Sequence, residues 1–316
     1  MRSPWARFAV RRTLAFLVSL AVLAVAAFFS ARLVPGDPAR AGLGPTAPPS
    51  QVEARRAAMH LDQPLPDQFV RFVGGAFTGD LGDSFTTSQP VGEIIGERFP
   101  ATARLALIAF VVTLLVAVPL GMAAAIRTRR GAHPRSAAGF SFVTGALISV
   151  PDYLLATGLV ALFGVGLAWL PIAGDAGLTS YILPVTALAA LPAAAIARLA
   201  RVETAKVLDQ DYLRVARSKR LPRRVLYLRH ALPNALTATL TVGGLLLGGL
   251  IAGTVIVENV FAWPGLGSAV TQAIIEKDYP LVQGIVLLLG SIALLANTLV
   301  DVLLALIDPR STMKES

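Results

Sequence analysis

The chain has 316 residues, of which 55% are hydrophobic and only 15% are charged. With a mean hydropathy of +0.66, this composition excludes an ordinary soluble domain and places the chain in the membrane class. The absence of cysteine excludes disulfides, thiolate metal sites and cysteine nucleophiles. The net charge of +9 comes without a basic stripe interleaved with aromatic residues, so nothing in it favours nucleic-acid binding.

Six segments are apolar and long enough to cross the hydrocarbon core of a bilayer, which takes about 20 residues. In chain order they cover residues 13–34, 101–126, 138–162, 181–199, 235–257 and 281–307. The first follows basic residues, as a signal peptide does, but its apolar run is longer and five more segments follow, so we expect an uncleaved helix. The fourth is the weakest, because Pro184 and Pro192 interrupt it. The sequence therefore predicts an all-α integral membrane protein with six transmembrane helices.

Basic residues collect in alternate connections between these segments. They precede the first segment, lie between the second and third and between the fourth and fifth, and follow the sixth at Arg310 and Lys314. By the positive-inside rule these regions, and with them both termini, are cytoplasmic. The external loop is then the region 35–100, of about 65 residues between helices 1 and 2. Its prolines and a possible short helix at 53–61 predict a cap on the helix bundle rather than a separate domain.

Catalytic and phosphate-binding motifs are missing from the sequence. None of the lysines follows a glycine, so there is no P-loop, and there is no His-Glu-x-x-His zinc motif. We therefore expect that the chain is not an enzyme.

The cytoplasmic connection 201–233 is the most informative segment, because it is too polar to enter lipid. Residues 209–219 have spacing compatible with a helix, which Leu221-Pro222 would end. Two interpretations compete. The connection is either a solvated basic loop that enforces topology or binds anionic lipid heads, or a short helix that docks on a cytoplasmic partner.

A family resemblance lies in this connection. It is carried by Arg214-Val215-Ala216-Arg217-Ser218-Lys219-Arg220, nine further residues and His230-Ala231-Leu232-Pro233. The stretch resembles the cytoplasmic loop of bacterial ABC importer permeases, whose pattern is Glu-Ala-Ala, three residues, Gly, nine residues, Ile-x-Leu-Pro. Arg220 stands where the family has a glycine, which permits a turn with positive φ. Either the turn differs here or Arg220 makes its own contact with a partner.

Other motifs along nearly the whole chain are similar to the dipeptide, oligopeptide and nickel permease family, and to its first-permease (B-type) subunit. They are Pro35-Gly36-Asp37-Pro38, Leu61-Asp62-Gln63-Pro64-Leu65, Gly79-Asp80-Leu81-Gly82-Asp83-Ser84, Glu258-Asn259-Val260-Phe261 and the tail 301–310. Nickel, glutathione and haem importers share much of this pattern, so it favours the subfamily more strongly than any one substrate.

The resemblance implies the ABC importer type I permease fold, with residues 1–316 as a single transmembrane permease domain of the bacterial inner membrane. The implied function is import of di- and oligopeptides, and the alternatives are import of nickel, haem or glutathione by the same machinery. A stand-alone secondary transporter is the alternative from another class. The implied partners are a second homologous permease subunit, two ATP-binding subunits or domains, an extracytoplasmic substrate-binding protein and membrane lipid, without nucleic acid. ATP and Mg would be bound by the partners, so no cofactor is expected here.

The resemblance also implies which residues couple this chain to the ATPase. They are Tyr212, Arg214, Val215, Ala216, Arg217, Lys219, Arg220, Leu232 and Pro233.

Polar residues inside the apolar segments are candidates for function, because they are costly in lipid. Asp152, which follows Pro151, and Asn297 are the predicted translocation-pathway residues. Asp152 has an equal alternative as a partner for an arginine or for backbone amides freed at Pro151. Asp301 is expected to form a structural pair or cap.

Small residues recur in the fifth segment. Gly244 and Gly248, like Gly249 and Gly253, are four residues apart and share helix faces. In lipid such residues let helices approach closely. They predict helix packing, either against a second permease or within this chain.

Overall fold

A computed structural model describes residues 4–33, 36–41, 43, 47–175 and 177–307. Pro35, the tail from residue 308 onward and therefore Arg310 and Lys314 lie outside the described residues. Where the chain is described it is helical, with a single isolated β-bridge between Asp83 and Pro90. It divides into two compact units, residues 1–103 with 262–316 and residues 104–261.

The α-helices within the described residues follow in chain order. They are α1 (Pro4–Ser30), α2 (Pro38–Ala41), α3 (Pro49–Ala58), α4 (Leu65–Thr78), α5 (Val91–Arg127), α6 (Pro134–Ser149), α7 (Asp152–Leu159), α8 (Ile182–Leu208), α9 (Asp211–Ser218), α10 (Arg223–Val225), α11 (Leu232–Val260), α12 (Leu266–Glu276) and α13 (Tyr279–Ile307).

In the first unit, α1 packs along α13. The two helices approach closely at Gly290, where an added Cβ would lie 2.5 Å from Leu23 Cδ1. An ion pair joins Arg12 of α1 to Asp301 of α13. This pair confirms the expected structural role of Asp301.

The cap region contains more helix than the sequence predicted. The helix expected at 53–61 is present as α3, which begins earlier, with Pro49 in its first turn. The longer α4 was not predicted. It begins after Pro64, carries Asp67 in its first turn and ends at Gly79, whose φ is +80°. Proline at the start and glycine at the end of a helix are strong boundary signals, but only the short helix at 53–61 was predicted from the sequence in this region.

The second predicted segment is longer than its apolar run. Helix α5 begins at Val91 rather than at residue 101, and Pro100 lies inside it. The first turns are amphipathic, since Ile94 and Ile95 are buried and Glu93 is exposed. A search for unbroken apolar runs therefore misses them.

In the second unit, α8 packs against α6, α7 and α11. At Gly121 of α5 an added Cβ would lie 2.4 Å from Ala197 O of α8, so only glycine allows this approach. The prolines do not interrupt α8, contrary to the prediction. Pro184 lies in the first turn, where no amide hydrogen bond is lost, and Pro192 lies inside a continuous helix.

The third predicted segment is broken at Pro151. Helices α6 and α7 meet there at an angle of 98°. Proline restrains the preceding residue to an extended conformation, and Val150 has φ −87° and ψ 121°. The bend lies at the position where Pro151 was expected to free backbone amides.

Among the described residues, four helices are long and apolar enough to cross a membrane, and the bent α6–α7 pair would make five. The predicted fifth segment falls within α11, of which Gly248–Val260 is a shorter apolar helix among the described residues. The chain is therefore a multi-pass helical membrane protein.

Candidate functional site

The connection between α8 and α11 contains the predicted short helix, at α9. Gln210 precedes it with extended backbone, at ψ 148°, and Asp211 and Arg217 occupy its first and last turns. Acidic residues at the start and basic residues at the end of a helix interact favourably with its dipole. The expected helix at 209–219 is thus present, and Pro222 lies just beyond it.

The inner face of α9 is packed into a small hydrophobic core. Leu213 and Ala216 are buried in a cluster with Met122 of α5, Leu208 of α8, Leu226 and Ala231. Leu232, at the start of α11, packs against the same cluster, and Pro233 follows in the first turn of α11. Ala216 and Leu232 therefore hold α9 in place rather than facing outward.

Two arginines bind the carboxyl end of α8, beside α9. Arg129 Nη2 donates to Leu208 O at 3.0 Å and to Asp209 Oδ1 at 2.7 Å. Arg217 Nη2 donates to the same Leu208 oxygen at 2.8 Å. The hydrogen bond from Arg129 lowers the pKa of Asp209, and burial lowers the pKa of Arg217. Arg129 therefore links the α5–α6 connection to the end of α8, where Arg217 of α9 also binds.

The outer face of α9 is partly apolar and accessible. Tyr212 is 43% exposed and Val215 is 55% exposed. Arg214 is also exposed and forms an ion pair with Asp211 at 3.1 Å. We call this surface, made by Tyr212, Arg214, Val215 and Lys219, the outer face of α9.

The turn after α9 keeps the geometry that the family glycine would give. Arg220 has φ +54°, in the left-handed region, and its amide donates to Arg217 O at 2.9 Å. Its side chain is exposed. Arg220 thus has the positive φ that a glycine would permit, and its guanidinium is placed where a partner can reach it.

The predicted pathway residues lie in different units. Asp152 occupies the first turn of α7, directly after the bend at Pro151. Asn297 lies on α13, and its Oδ1 atom is buried without a hydrogen-bond partner among the described residues. Asp152 belongs to the second unit and Asn297 to the first, so the two residues do not share a unit.

The glycines of α11 do not share one environment. Gly244 and Gly248 are buried. An added Cβ on Gly253 would lie 3.1 Å from Leu188 Cδ1 of α8, so Gly253 packs within the chain. Gly249 is exposed and has no atom within 4 Å of an added Cβ among the described residues.

The hydrogen bonds of two residues, Arg129 and Asp278, were not predicted from the sequence. Arg129 was counted only among the basic residues that indicate which side of the membrane is cytoplasmic. Asp278, just before α13, is buried and accepts hydrogen bonds from Ser84 Oγ and from the amides of Phe85 at 3.0 Å and Leu281 at 3.4 Å. The pairings of Arg129 with Asp209 and of Asp278 with Ser84 have no local sequence signal, because the partners are 80 and 194 residues apart.

Comparison with known proteins covers nearly the whole chain. The family described as binding-protein-dependent transport system inner membrane component matches residues 117–313, and its N-terminal component matches residues 5–106. A permease of Brucella abortus (strain 2308) named for a peptide transport system is 40% identical, over 92% of this chain and 93% of its own length. The glutathione transport system permease protein GsiC of Salmonella paratyphi A is 37% identical, over 96% and 97%.

A solved amino acid ABC transporter covers 69% of this chain and 94% of its own, with a TM-score of 0.48 and 16% identity. The family assignment depends on the sequence matches, which extend over both units and include the connection that contains α9. The chain belongs to the family of inner membrane components of binding-protein-dependent transport systems.

Proposed function

We propose that this chain is a permease subunit of an ATP-binding-cassette importer that moves peptides into the cytoplasm, with ATP and Mg bound by partner subunits. The observation that carries the proposal is α9, with an inner face fixed in a core and an outer face that exposes Tyr212 and Val215. A loop that only carried charge would not need a fixed helix with exposed apolar side chains. Such a surface is typical of a protein-docking site.

The proposed topology has six transmembrane helices and cytoplasmic termini, with residues 1–316 as one permease domain in a bacterial inner membrane. It counts α1, α5, the bent α6–α7 pair, α8, α11 and α13 as the spans. The basic connections, including the one with α9, then share the cytoplasmic side. The cap helices α2, α3 and α4 are external.

A peptide substrate is supported by the names of two relatives. One is named for peptide transport and the other for glutathione, which is itself a tripeptide. Nickel and haem remain alternatives for the same machinery. Asp152 and Asn297 are proposed to lie along the translocation pathway.

The proposed mechanism is a two-state bundle biased by partners at opposite sides. Each of two permeases inserts its α9 into an ATPase subunit, and ATP-driven closure of the ATPases moves the two helices together. The movement reaches α5 through Leu213, which is buried in one cluster with Met122, and α8 through Arg217, which donates to Leu208 O. A substrate-binding protein on the cap side favours the outward-facing state, so the two sites are coupled through one equilibrium.

The test replaces Val215 on the outer face by glutamate in the full complex. We expect the chain to fold, but the ATPase subunits to dissociate during purification and peptide uptake to be lost, because a carboxylate would be desolvated at the contact. Ala132→Glu is the matched control, since Ala132 is exposed in the α5–α6 connection. Ala216→Glu, by contrast, should destabilise the chain itself, because Ala216 is buried.

Copurification and uptake are measured side by side for the three variants. Retention of the ATPase subunits and full uptake by Val215→Glu would reject the docking role of α9. Equal losses in Val215→Glu and Ala132→Glu would show a general effect of added charge and would reject it as well.

A further inference from the structure

A large cavity lies in the first unit, between the cap helices and the start of α13. Its volume is about 880 Å³, and Phe28, Phe72 and Tyr279 contribute aromatic rings to its lining. This volume lies within the range of about 300–1,000 Å³ that is usual for small-molecule sites. The coupling role of α9 does not involve this cavity.

Three guanidinium groups line the cavity, from Arg32, Arg55 and Arg71. Arg32 is held in place by hydrogen bonds to Phe28 O at 2.9 Å and to Gln68, and its guanidinium lies 3.7 Å from the Phe28 ring centroid. A guanidinium fixed in this way is preorganised to bind an anion, because its orientation costs little additional entropy.

The other two arginines retain donors for a ligand. Arg55 Nη2 donates to Phe85 O at 2.7 Å, whereas its Nε is buried and has no acceptor among the described residues. Arg71 is exposed, and one of its nitrogens donates to Gln63 Oε1 at 2.9 Å. A buried donor without an acceptor is costly, and a bound carboxylate would supply that acceptor.

Two carboxylates, those of Asp80 and Asp83, line the same cavity. They disfavour a multiply charged anion, which the three arginines alone would attract. A molecule that carries one carboxylate and one ammonium group matches both signs of charge. The aromatic rings can contact its apolar part.

We propose that this cavity binds a zwitterionic carboxylate ligand, an amino acid or a short peptide. The arginines bind its carboxylate, and Asp80 and Asp83 bind its ammonium group. The site lies within one chain and needs neither ATP nor a partner. Its failure would therefore leave the proposed importer function standing, and failure of the importer function would leave the site.

The experiment measures equilibrium binding of trialanine to the purified full chain in nanodiscs. Trialanine amide lacks the carboxylate, and N-acetyl-trialanine lacks the ammonium group. We expect Arg71→Gln to weaken trialanine binding by about tenfold or more, since it removes a charge-assisted contact. The control is Arg40→Gln, because Arg40 is exposed in α2 and does not line the cavity.

The ligand analogues identify which group each residue contacts. Arg71→Gln should not weaken binding of the amide further, and Asp83→Asn should not weaken binding of the acetylated peptide further. Retained helicity and melting temperature establish that each variant is folded. If Arg71→Gln is misfolded, the proposal is tested with Asp83→Asn instead. This variant should bind trialanine more weakly than the wild type does and should bind N-acetyl-trialanine equally well.

Three results would overturn the proposal. They are the absence of saturable trialanine binding, equal binding by the wild type and Arg71→Gln, and equal weakening by Arg71→Gln and Arg40→Gln. Arg71-dependent binding of phosphatidylglycerol without binding of trialanine would also overturn the proposal and would identify a lipid site.

Discussion

Arg220 is held in a backbone conformation that suits glycine better. Its φ of +54° costs an ordinary residue about 1–2 kcal/mol. The hydrogen bond from the Arg220 amide to Arg217 O and Pro222 just beyond fix the turn. The backbone therefore determines where the Arg220 side chain lies. The guanidinium is exposed beside the outer face of α9, where a glycine would present no side chain.

Replacing Arg220 by glycine therefore separates stability from coupling. We expect Arg220→Gly to raise the stability of the purified chain by about 1 kcal/mol, because the strain is relieved. We also expect weaker retention of the ATPase subunits, because the guanidinium is lost. Thermal melting and copurification measure the two effects.

Gly79→Ala is the reciprocal control, since Gly79 has φ +80° and open space around it. It should lower stability by about the same amount. Unchanged melting of Arg220→Gly would contradict the strain, and unchanged ATPase retention would contradict a contact through the guanidinium.

At the scale of elements, Asp278 joins the segment 84–86 to the start of α13. Its carboxylate accepts from Ser84 and Phe85 of that segment and from Leu281 of the helix. Thr86, Thr87 and Ser88 are exposed, whereas Phe85 contacts the ring of Tyr279. The position of the segment beside the cavity depends on this buried carboxylate together with the hydrogen bond from Arg55 Nη2 to Phe85 O at 2.7 Å.

We therefore expect Asp278→Asn to lower the stability of the cap by about 1–3 kcal/mol, because an amide supplies one acceptor oxygen where the carboxylate supplies two. Limited proteolysis in residues 80–90 should become faster. The control Asp62→Asn changes an exposed carboxylate and should leave the cleavage rate unchanged. Equal cleavage rates for the wild type and Asp278→Asn would reject the role of Asp278.

The sequence predicted elements well where a local pattern specifies them. Helix α9, the bend at Pro151 and the apolar spans follow from periodicity, proline and hydropathy. The prediction failed where packing against other helices determines the secondary structure. Pro192 lies inside an intact α8, and the first turns of α5 and all of α4 are amphipathic segments without long apolar runs.

Prediction of the candidate site had the same limit. The motif located the residues of α9, but it did not separate Ala216, which is buried, from Val215, which is exposed. That division depends on the rotation of α9 over Met122 and Leu226. The partners of Arg129 and Asp278 lie far away in the sequence, and a single chain carries no signal for them.

At the scale of the whole molecule, Gly121 and Gly249 test where helices meet. Gly121→Leu should unfold the chain, because even a Cβ would lie 2.4 Å from Ala197 O. Gly249→Leu should leave the isolated chain folded, since no atom of the described residues lies within 4 Å of a Cβ at this position. We expect it to weaken association with the second permease, because a leucine would separate the two backbones.

Crosslinking between permeases in native membrane, together with melting of the isolated chain, measures both outcomes. If Gly249→Leu still crosslinks normally to the second permease, the glycines of α11 serve only packing within the chain. Loss of folding in that variant would contradict the open surroundings of Gly249.

The contact between α1 and α13 has a consequence for how the protein is made. The first helix enters the membrane early in synthesis, yet the partner of Arg12 is Asp301 in the last helix, and Leu23 packs on Gly290 of the same helix. The packing of α1 can therefore be completed only after α13 has been synthesised, and until then Arg12 lacks Asp301 and Leu23 lacks Gly290.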